Sequence, residues 1–198
     1  MKVITVGREF GSGGREFGRR LAQTLGIAYY DKEIIEELSK RTKMSEDFVS
    51  EIVEKRPVPF FPITIGRSFY PMENPIFEQS QEIFRQQTKI IQEMAKKSDC
   101  VIVGRCGDDI LEELDPIRIF IYAGMESRIK RCRLKASPEE GLSAKEMKKK
   151  INEIDKERSK YYGFYTGKKW GDPLNYDYMI NTSFKEIKEL VHKFSKMV

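Results

Sequence analysis

Residues 7–16 read Gly7-Arg8-Glu9-Phe10-Gly11-Ser12-Gly13-Gly14-Arg15-Glu16, so four of these ten positions are glycine. A β-branched run at residues 2–6 precedes them, and Phe17, Leu21 and Leu25 follow at helical spacing. The order strand, glycine-rich turn and helix brings backbone N–H groups and a helix N-terminus to one place, where they can bind phosphate oxygens. A tight structural turn without a ligand is the alternative interpretation of the same residues.

The loop departs from the standard phosphate-binding (Walker A) motif, G-x-x-x-x-G-K-[ST]. When the motif is aligned on Gly13, Arg8 stands at its first glycine, Gly14 at its lysine and Arg15 at its Ser/Thr. The lysine normally contacts the terminal phosphates and the hydroxyl binds magnesium. We expect Arg15 or Arg8 to supply the missing charge. The residues expected to bind ATP phosphates are Arg8, Gly11, Ser12, Gly13, Gly14 and Arg15; the sequence identifies no magnesium ligands.

Strands and helices alternate along the rest of the chain, which is typical of an α/β fold with a parallel sheet covered on both faces. Further strands are expected at residues 27–30, 100–103, 117–122 and 178–180. Helix starts are predicted at Ser45, at Pro75, at the capping box of Ser143 with Glu146, and at a second capping box of Ser183 with Glu186. Two stretches are expected to be irregular, the proline-rich residues 56–75 and the polar residues 136–142.

Composition excludes several classes of protein. A chain of 198 residues with 39% hydrophobic content is expected to form one domain without disulfides. Cys100, Cys106 and Cys132 show no C-x-x-C spacing, and a single histidine, His192, counts against zinc sites and Ser-His-Asp hydrolases. We find no signal-like or membrane-spanning stretch, so we expect a cytoplasmic protein without a membrane partner. The net charge of +5 permits a nucleic-acid partner, but no recognition motif is present and none is expected.

Five segments, which span almost the whole chain, resemble the cytidylate kinase-like family and occur in the family's order. This family is a branch of the P-loop nucleoside-monophosphate kinases that has an R-E-F-G-S-G-G loop in place of the standard one. The segments are Ile4 to Glu16, Tyr29-Tyr30-Asp31-Lys32-Glu33, Val101-Ile102-Val103-Gly104-Arg105, Asp155 to Tyr162 with its D-x-x-R-x-x-Y-Y pattern, and Tyr176-Asp177 with Asn181-Thr182.

The resemblance implies a P-loop NTPase-type three-layer fold with a five-stranded parallel sheet, a helical acceptor-binding lobe and a lid that closes over ATP. It also implies ATP and Mg²⁺ as cofactors. We expect one kinase-like domain over residues 1–198, with its core in 1–31, 98–127 and 163–198, the acceptor-binding lobe in 32–97, and the lid with its flanks in 128–162.

Arginines are the natural residues to neutralise the charge of a transferred phosphoryl group. Arg15, Arg131 and Arg158 are the expected catalytic residues, with a solvated surface charge as the alternative for the last two. Arg105 and Asp108 are expected to bind the acceptor, because a similar G-R-D segment of cytidylate kinases contacts the acceptor nucleotide. Asp31 is a third acceptor-site candidate, and helix capping is its alternative role.

The expected function is ATP-dependent phosphoryl transfer to a nucleoside monophosphate, with CMP or dCMP as the first acceptor to test. Two alternatives remain open at this point: a nucleotide-binding P-loop module without kinase turnover, favoured by the departures at Gly14 and Arg15, and a kinase for a non-nucleotide acceptor. The expected partners are therefore small-molecule nucleotides. The sequence does not indicate an oligomeric state.

Overall fold

The structure, a computed structural model, describes residues 1–53, 57, 75–135 and 142–198. Its strands are β1 (Val3–Arg8), β2 (Ala28–Tyr30), β3 (Cys100–Val103), β4 (Ile117–Tyr122) and β5 (Tyr178–Asn181). Its helices are α1 (Gly14–Leu25), α2 (Lys32–Thr42), α3 (Glu46–Ile52), α4 (Pro75–Ala95), α5 (Gly107–Ile110), α6 (Met125–Lys135), α7 (Ala144–Thr166) and α8 (Ile187–Phe194), with short 3-10 turns at Glu112–Leu114 and Pro173–Asn175.

The described strands form one parallel sheet in the order β2-β3-β1-β4-β5. Strand β1 is central, with Val6 opposite Val103 of β3 on one side and Ile119 of β4 on the other. Because the strands are parallel, the loops that follow β1, β2 and β3 all emerge at the same edge of the sheet. Ligands of open α/β sheets bind at this edge.

Two apolar layers cover the sheet, since side chains alternate between its faces. Cys100 and Ile102 of β3 pack with the buried residues of α2 and α4, among them Leu38 and Ile90. Val101 and Val103 pack on the other face, with buried residues of α1 and α8 that include Phe17, Leu21, Val191 and Phe194. The predicted three-layer α/β fold is confirmed.

Most of the predicted boundaries agree with the structure. Ser45 caps α3, and Ser143 and Glu146 form the predicted capping box at the start of α7. The second predicted capping box is wrong, because α8 begins at Ile187 with Glu186 as its N-cap residue. The hydroxyl of Ser183 instead accepts a hydrogen bond from the N–H of Gly124, at 2.7 Å.

Most of the two predicted irregular stretches lies outside the described residues, namely residues 56, 58–74 and 136–141. The division into core, acceptor-binding lobe and lid stays a prediction. Helix α7 runs without a break across residues 162 and 163, where that division places the end of the lid. Within the described ranges, no helix is both long enough and apolar enough to cross a membrane.

Candidate functional site

The glycine-rich loop has the geometry of a phosphate-binding loop. Gly11 and Gly13 have φ angles of 76° and 86°, in the left-handed region that glycine adopts without strain. Helix α1 begins at Gly14, and the first hydrogen bond of its ladder runs from the N–H of Phe17 to the carbonyl oxygen of Gly13 at 2.9 Å. The preceding amides at the start of α1 therefore have no helical acceptor, as an anion-binding helix terminus requires.

A cavity of about 280 Å³ opens over this loop. Its walls include Gly11, Gly13, Gly14 and Arg15, and four cationic side chains from other elements: Arg131, Lys135, Lys150 and Arg158. The loop is thus open to a ligand rather than packed under another element. We call this space the donor cavity.

Ser12 does not line the donor cavity, although the sequence predicted it there. The residue is fully buried, and its hydroxyl donates to the carbonyl oxygen of Glu9 at 2.8 Å. Its own carbonyl oxygen accepts from the hydroxyl of Thr182 at 2.6 Å. The side chain of Ser12 therefore fixes the shape of the loop.

Arg131 lies in the wall of the donor cavity, and its guanidinium is anchored to backbone carbonyl oxygens. Nη1 donates to the carbonyl oxygen of Ser12 at 3.3 Å, and Nη2 donates to that of Thr182 and, at 3.3 Å, to that of Lys185. These contacts join the phosphate-binding loop to the segment between β5 and α8.

A network of charged residues ties the loop to the helices of the predicted lid region. Arg128 of α6 is 5% exposed and contacts the carboxylates of both Glu9, at 3.3 Å, and Asp155. Its Nε also donates to the carbonyl oxygen of Phe10 at 2.7 Å. Its partners Phe10 and Asp155 lie 118 and 27 residues away in the chain, so the sequence signal for the burial of Arg128 is weak.

A second, smaller cavity of about 50 Å³ lies beyond the carboxyl end of β3, and we call it the acceptor cavity. Gly104, Arg105 and Cys106 follow the strand with φ angles of 72°, 58° and 55°, three successive left-handed residues. Non-glycine residues adopt this conformation only when their surroundings enforce it, and such residues cluster at functional sites. The other residues of the wall include Asp108, Tyr161, Tyr162, Trp170 and Tyr176.

Polar contacts fix the wall of the acceptor cavity. The hydroxyl of Tyr162 donates to Asp108 at 2.7 Å, and the amide of Gln87 donates to the carbonyl oxygen of Arg105 at 3.1 Å. Burial raises the pKa of the Asp108 carboxyl, and the hydrogen bond from Tyr162 only partly offsets this rise. The structure thus brings Arg105, Asp108 and the aromatic residues into one site.

Arg8 and Arg158 line both cavities, and they are the residues common to the two walls in the described part of the chain. The side chain of Arg8 is 11% exposed, and that of Arg158 is 14% exposed. Burial, followed by the charge of Arg158, lowers the pKa of Arg8 to about 9; the charges of Arg15 and Arg105 act in the same direction.

Asp31 faces two of these four arginines, Arg15 and Arg8. Its oxygens lie 2.9 Å from Nε of Arg15 and 4.0 Å from Nη2 of Arg8. Asp31 occupies the N-cap position of α2, but its side chain makes no capping hydrogen bond. Arg158 in turn lies 4.0 Å from Asp155. The four arginines together supply the positive charge that phosphate groups require.

The described residues do not form a cage of protein ligands around a metal ion. They contain no group of three or more His, Cys, Asp or Glu side chains able to hold a metal ion. Arg15 stands where the standard loop has its hydroxyl ligand, and the hydroxyl of Ser12 donates to Glu9. The donor set of this loop therefore does not match that of the standard motif.

Comparison with known proteins gives both a family and relatives. The model of the cytidylate kinase-like family matches residues 3–184. A cytidylate kinase of Methanopyrus kandleri is 26% identical over 191 residues, which are 91% of this chain and 84% of the relative.

Solved structures agree on the fold. An uncharacterised protein from Eubacterium ventriosum superposes with a TM-score of 0.70 and 26% identity, over 100% of this chain and 98% of the other. A shikimate kinase from Bacteroides thetaiotaomicron superposes with a TM-score of 0.58 and 15% identity, over 99% and 97% of the two chains. The similarity to the shikimate kinase shows the fold alone, which is that of P-loop kinases.

The family match covers nearly the whole chain and includes both the phosphate-binding loop and the arginines that surround it. The chain belongs to the cytidylate kinase-like family and is a nucleotide-binding phosphotransferase with the P-loop kinase fold.

Proposed function

We propose that the protein transfers the γ-phosphoryl group of ATP to the phosphate of a pyrimidine nucleoside monophosphate, CMP or dCMP. The observation that supports this most strongly is the pair of cavities that meet at Arg8 and Arg158. A phosphoryl transferase has to hold a donor and an acceptor on opposite sides of the transferred group, with cations beside that group. Two cavities joined by two arginines provide this arrangement.

The donor phosphates would lie on the loop from Gly11 to Arg15, with backbone N–H groups at the start of α1 as ligands. Arg15 would contact the phosphates from the rim, because its side chain is 52% exposed and its Nε is paired with Asp31. Arg131 remains a candidate for direct contact with the transferred group. Its bonds to the carbonyl oxygens of Ser12 and Thr182 favour a role in positioning the loop.

The acceptor would place its phosphate in the second cavity, towards Arg105 and Arg158. Because this cavity of about 50 Å³ is far smaller than a ligand pocket of about 300 Å³ or more, it would have to widen when the nucleotide binds. Aromatic side chains of the wall, among them Tyr161 and Trp170, offer surfaces on which a base can stack. The name of the family and the Methanopyrus kandleri relative support cytosine as the base. The sequence also predicts that the proline-rich residues 56–75 help to enclose the base; residues 56 and 58–74 of this stretch lie outside the described part of the chain.

The reaction is an in-line displacement. The acceptor phosphate oxygen bonds to the γ-phosphorus, the bond from that phosphorus to the bridging oxygen of ADP breaks, and CDP and ADP are the products. Arg8 and Arg158 would neutralise the negative charge on the three equatorial oxygens. Asp31 would hold Arg8 and Arg15 in place, as its distances to their guanidinium groups suggest.

Magnesium, if ATP brings it, would supply charge neutralisation at the phosphates. Mg²⁺ commonly keeps several waters and binds substrate phosphates with one or two carboxylates, so it does not need a protein cage. Dependence on cellular ATP makes the cytoplasm the proposed location of the enzyme.

The test is product formation with ATP and a panel of acceptors: CMP, dCMP, UMP, AMP and a range of non-nucleotide alcohols. Preferred turnover of CMP or dCMP supports the proposal. Turnover of a non-nucleotide only would keep the phosphotransferase and reject the nucleotide acceptor. Tight ATP binding without turnover of any acceptor would favour the non-catalytic module.

A further inference from the structure

Gly14 and Arg8 compete for the same space. A Cβ atom added at Gly14 would lie 2.4 Å from Cβ of Arg8 and 3.0 Å from its Cγ. Contacts under 3.0 Å do not occur between real Cβ atoms and their neighbours, and neither of these atoms is the far end of a flexible side chain. Only one of the two positions can therefore bear a side chain in this backbone conformation.

The same two positions are those at which the loop departs from the standard motif. In the alignment on Gly13, Arg8 replaces a glycine and Gly14 replaces the lysine. The departures are thus not independent losses. Each departure is sterically possible only together with the other. A lysine at position 14 needs a glycine at position 8, and an arginine at position 8 needs a glycine at position 14.

The Arg8 side chain places its charge between the two cavities. The side chain crosses Gly14 and ends against Gly104, where an added Cβ atom would lie 1.5 Å from Nη1. Gly104 thus leaves room for the guanidinium between the donor and acceptor cavities, 4.0 Å from Asp31. This cation is mostly buried and lies close to three further arginines as well as to Asp31, so a bound phosphate would stabilise its charged form.

We propose that the phosphate-binding cation of this P-loop stands at a different position from the standard one. Arg8 at the end of β1 supplies to the nucleotide phosphates the positive charge that the lysine at the start of the helix supplies in the standard loop. The inference rests on the proposed function, because it requires ATP phosphates at the loop. Arg15 is a poorer substitute, since its side chain is half exposed and lines the donor cavity but not the acceptor cavity.

The test is an exchange experiment with Arg8→Gly, Gly14→Lys and the double variant R8G/G14K. The double variant restores the pattern G-x-x-x-x-G-K. We expect Arg8→Gly to weaken ATP binding about tenfold or more, the scale of a lost charge-assisted hydrogen bond. Gly14→Lys should also weaken it, because its Cβ atom collides with Arg8. The double variant should bind ATP at least about fivefold more tightly than either single variant. Such a gain shows that the two positions interact, because two independent substitutions would each weaken binding further.

Arg8→Met is the variant that separates a loss of ATP binding from a failure to fold. It keeps an unbranched side chain over Gly14 and removes the guanidinium with its charge, while Asp31 keeps its pair with Arg15 at 2.9 Å. Its melting temperature should therefore stay close to that of the wild type while ATP affinity falls about tenfold. Two results would overturn the inference: unchanged ATP affinity of Arg8→Met, or a folded double variant no better than the single variants. Wild-type ATP titration separates the two proposals, because a wild type that binds no ATP would reject the proposed function as well.

Discussion

The carboxylate of Asp155 accepts a hydrogen bond from the backbone N–H of Phe10 at 2.8 Å, so helix α7 holds the phosphate-binding loop from a position 145 residues later in the chain. The same carboxylate pairs with the buried Arg128 and lies 4.0 Å from Arg158. One side chain thus connects the loop, helix α6 and an arginine of the proposed transfer site.

Asp155→Ala should therefore destabilise the protein and weaken ATP binding together. The change leaves Arg128 buried with Glu9 as its remaining carboxylate partner, which we expect to lower the free energy of unfolding by about 3 kcal/mol. Glu153→Ala is the matched control, because Glu153 lies on the same helix in an exposed pair with Lys149 and should cost less than about 0.5 kcal/mol. Denaturant unfolding measures the free energy of unfolding of both variants, and ATP titration measures their affinity for ATP. Similar values for the two variants would contradict the proposed anchoring.

Gly104→Ala should reduce turnover, because the new methyl group displaces the guanidinium of Arg8. Gly167→Ala is a close control for backbone strain, since Gly104 and Gly167 have φ angles of 72° and 69° and nothing lies within 4 Å of a Cβ atom at Gly167. Each alanine should cost about 1 kcal/mol of stability through its positive φ. The rate of product formation should fall at least about tenfold in Gly104→Ala only; equal rates would show that the position of Arg8 is unimportant.

Arg105→Ala should lower the apparent affinity for the acceptor and leave ATP binding nearly intact. Arg105 lines the acceptor cavity but not the donor cavity, so its loss removes a phosphate contact on one side of the transferred group. We expect kcat/KM for CMP to fall about tenfold or more. Arg85→Ala, in an exposed pair with Glu82, is the control. An equal loss of ATP affinity in Arg105→Ala would place Arg105 in the donor site instead.

Asp108→Asn should change the pH dependence of stability. Burial raises the pKa of Asp108 above its ordinary value of 3.8, so in the native protein this group binds its proton more tightly than in the unfolded chain. Its contribution to stability is present below pH 3.8 and is lost as the pH rises through the raised pKa. Asp108→Asn should therefore be at least as stable as the wild type at neutral pH and show a smaller decline over that window. Parallel stability profiles of the two proteins would contradict the raised pKa.

The fold was predictable because its signals are local. Periodicity located the strands Cys100–Val103 and Ile117–Tyr122, and the pairing of Ser143 with Glu146 located the start of α7. The capping prediction at Ser183 failed because Gly124, which is distant in sequence, uses the Ser183 hydroxyl. A local pattern cannot report a competing partner from another element.

The site was only partly predictable for the same reason. The resemblance to the G-R-D segment of cytidylate kinases pointed to Arg105 and Asp108, and the glycine-rich loop pointed to the donor cavity. The collision between Arg8 and a side chain at position 14, and the burial of Arg128 between two carboxylates, depend on three-dimensional approach. The motif comparison showed that a lysine was missing, and only the structure showed which side chain occupies its space.

The most direct test of phosphoryl transfer between the two cavities follows the γ-phosphoryl group itself. Wild-type protein is mixed with CMP and ATP labelled in that group, and the products are separated at successive times. The proposed function predicts that the label moves into CDP, with one ADP formed for each labelled CDP. Label that stays in ATP, or that appears only as inorganic phosphate whether or not CMP is present, would contradict it.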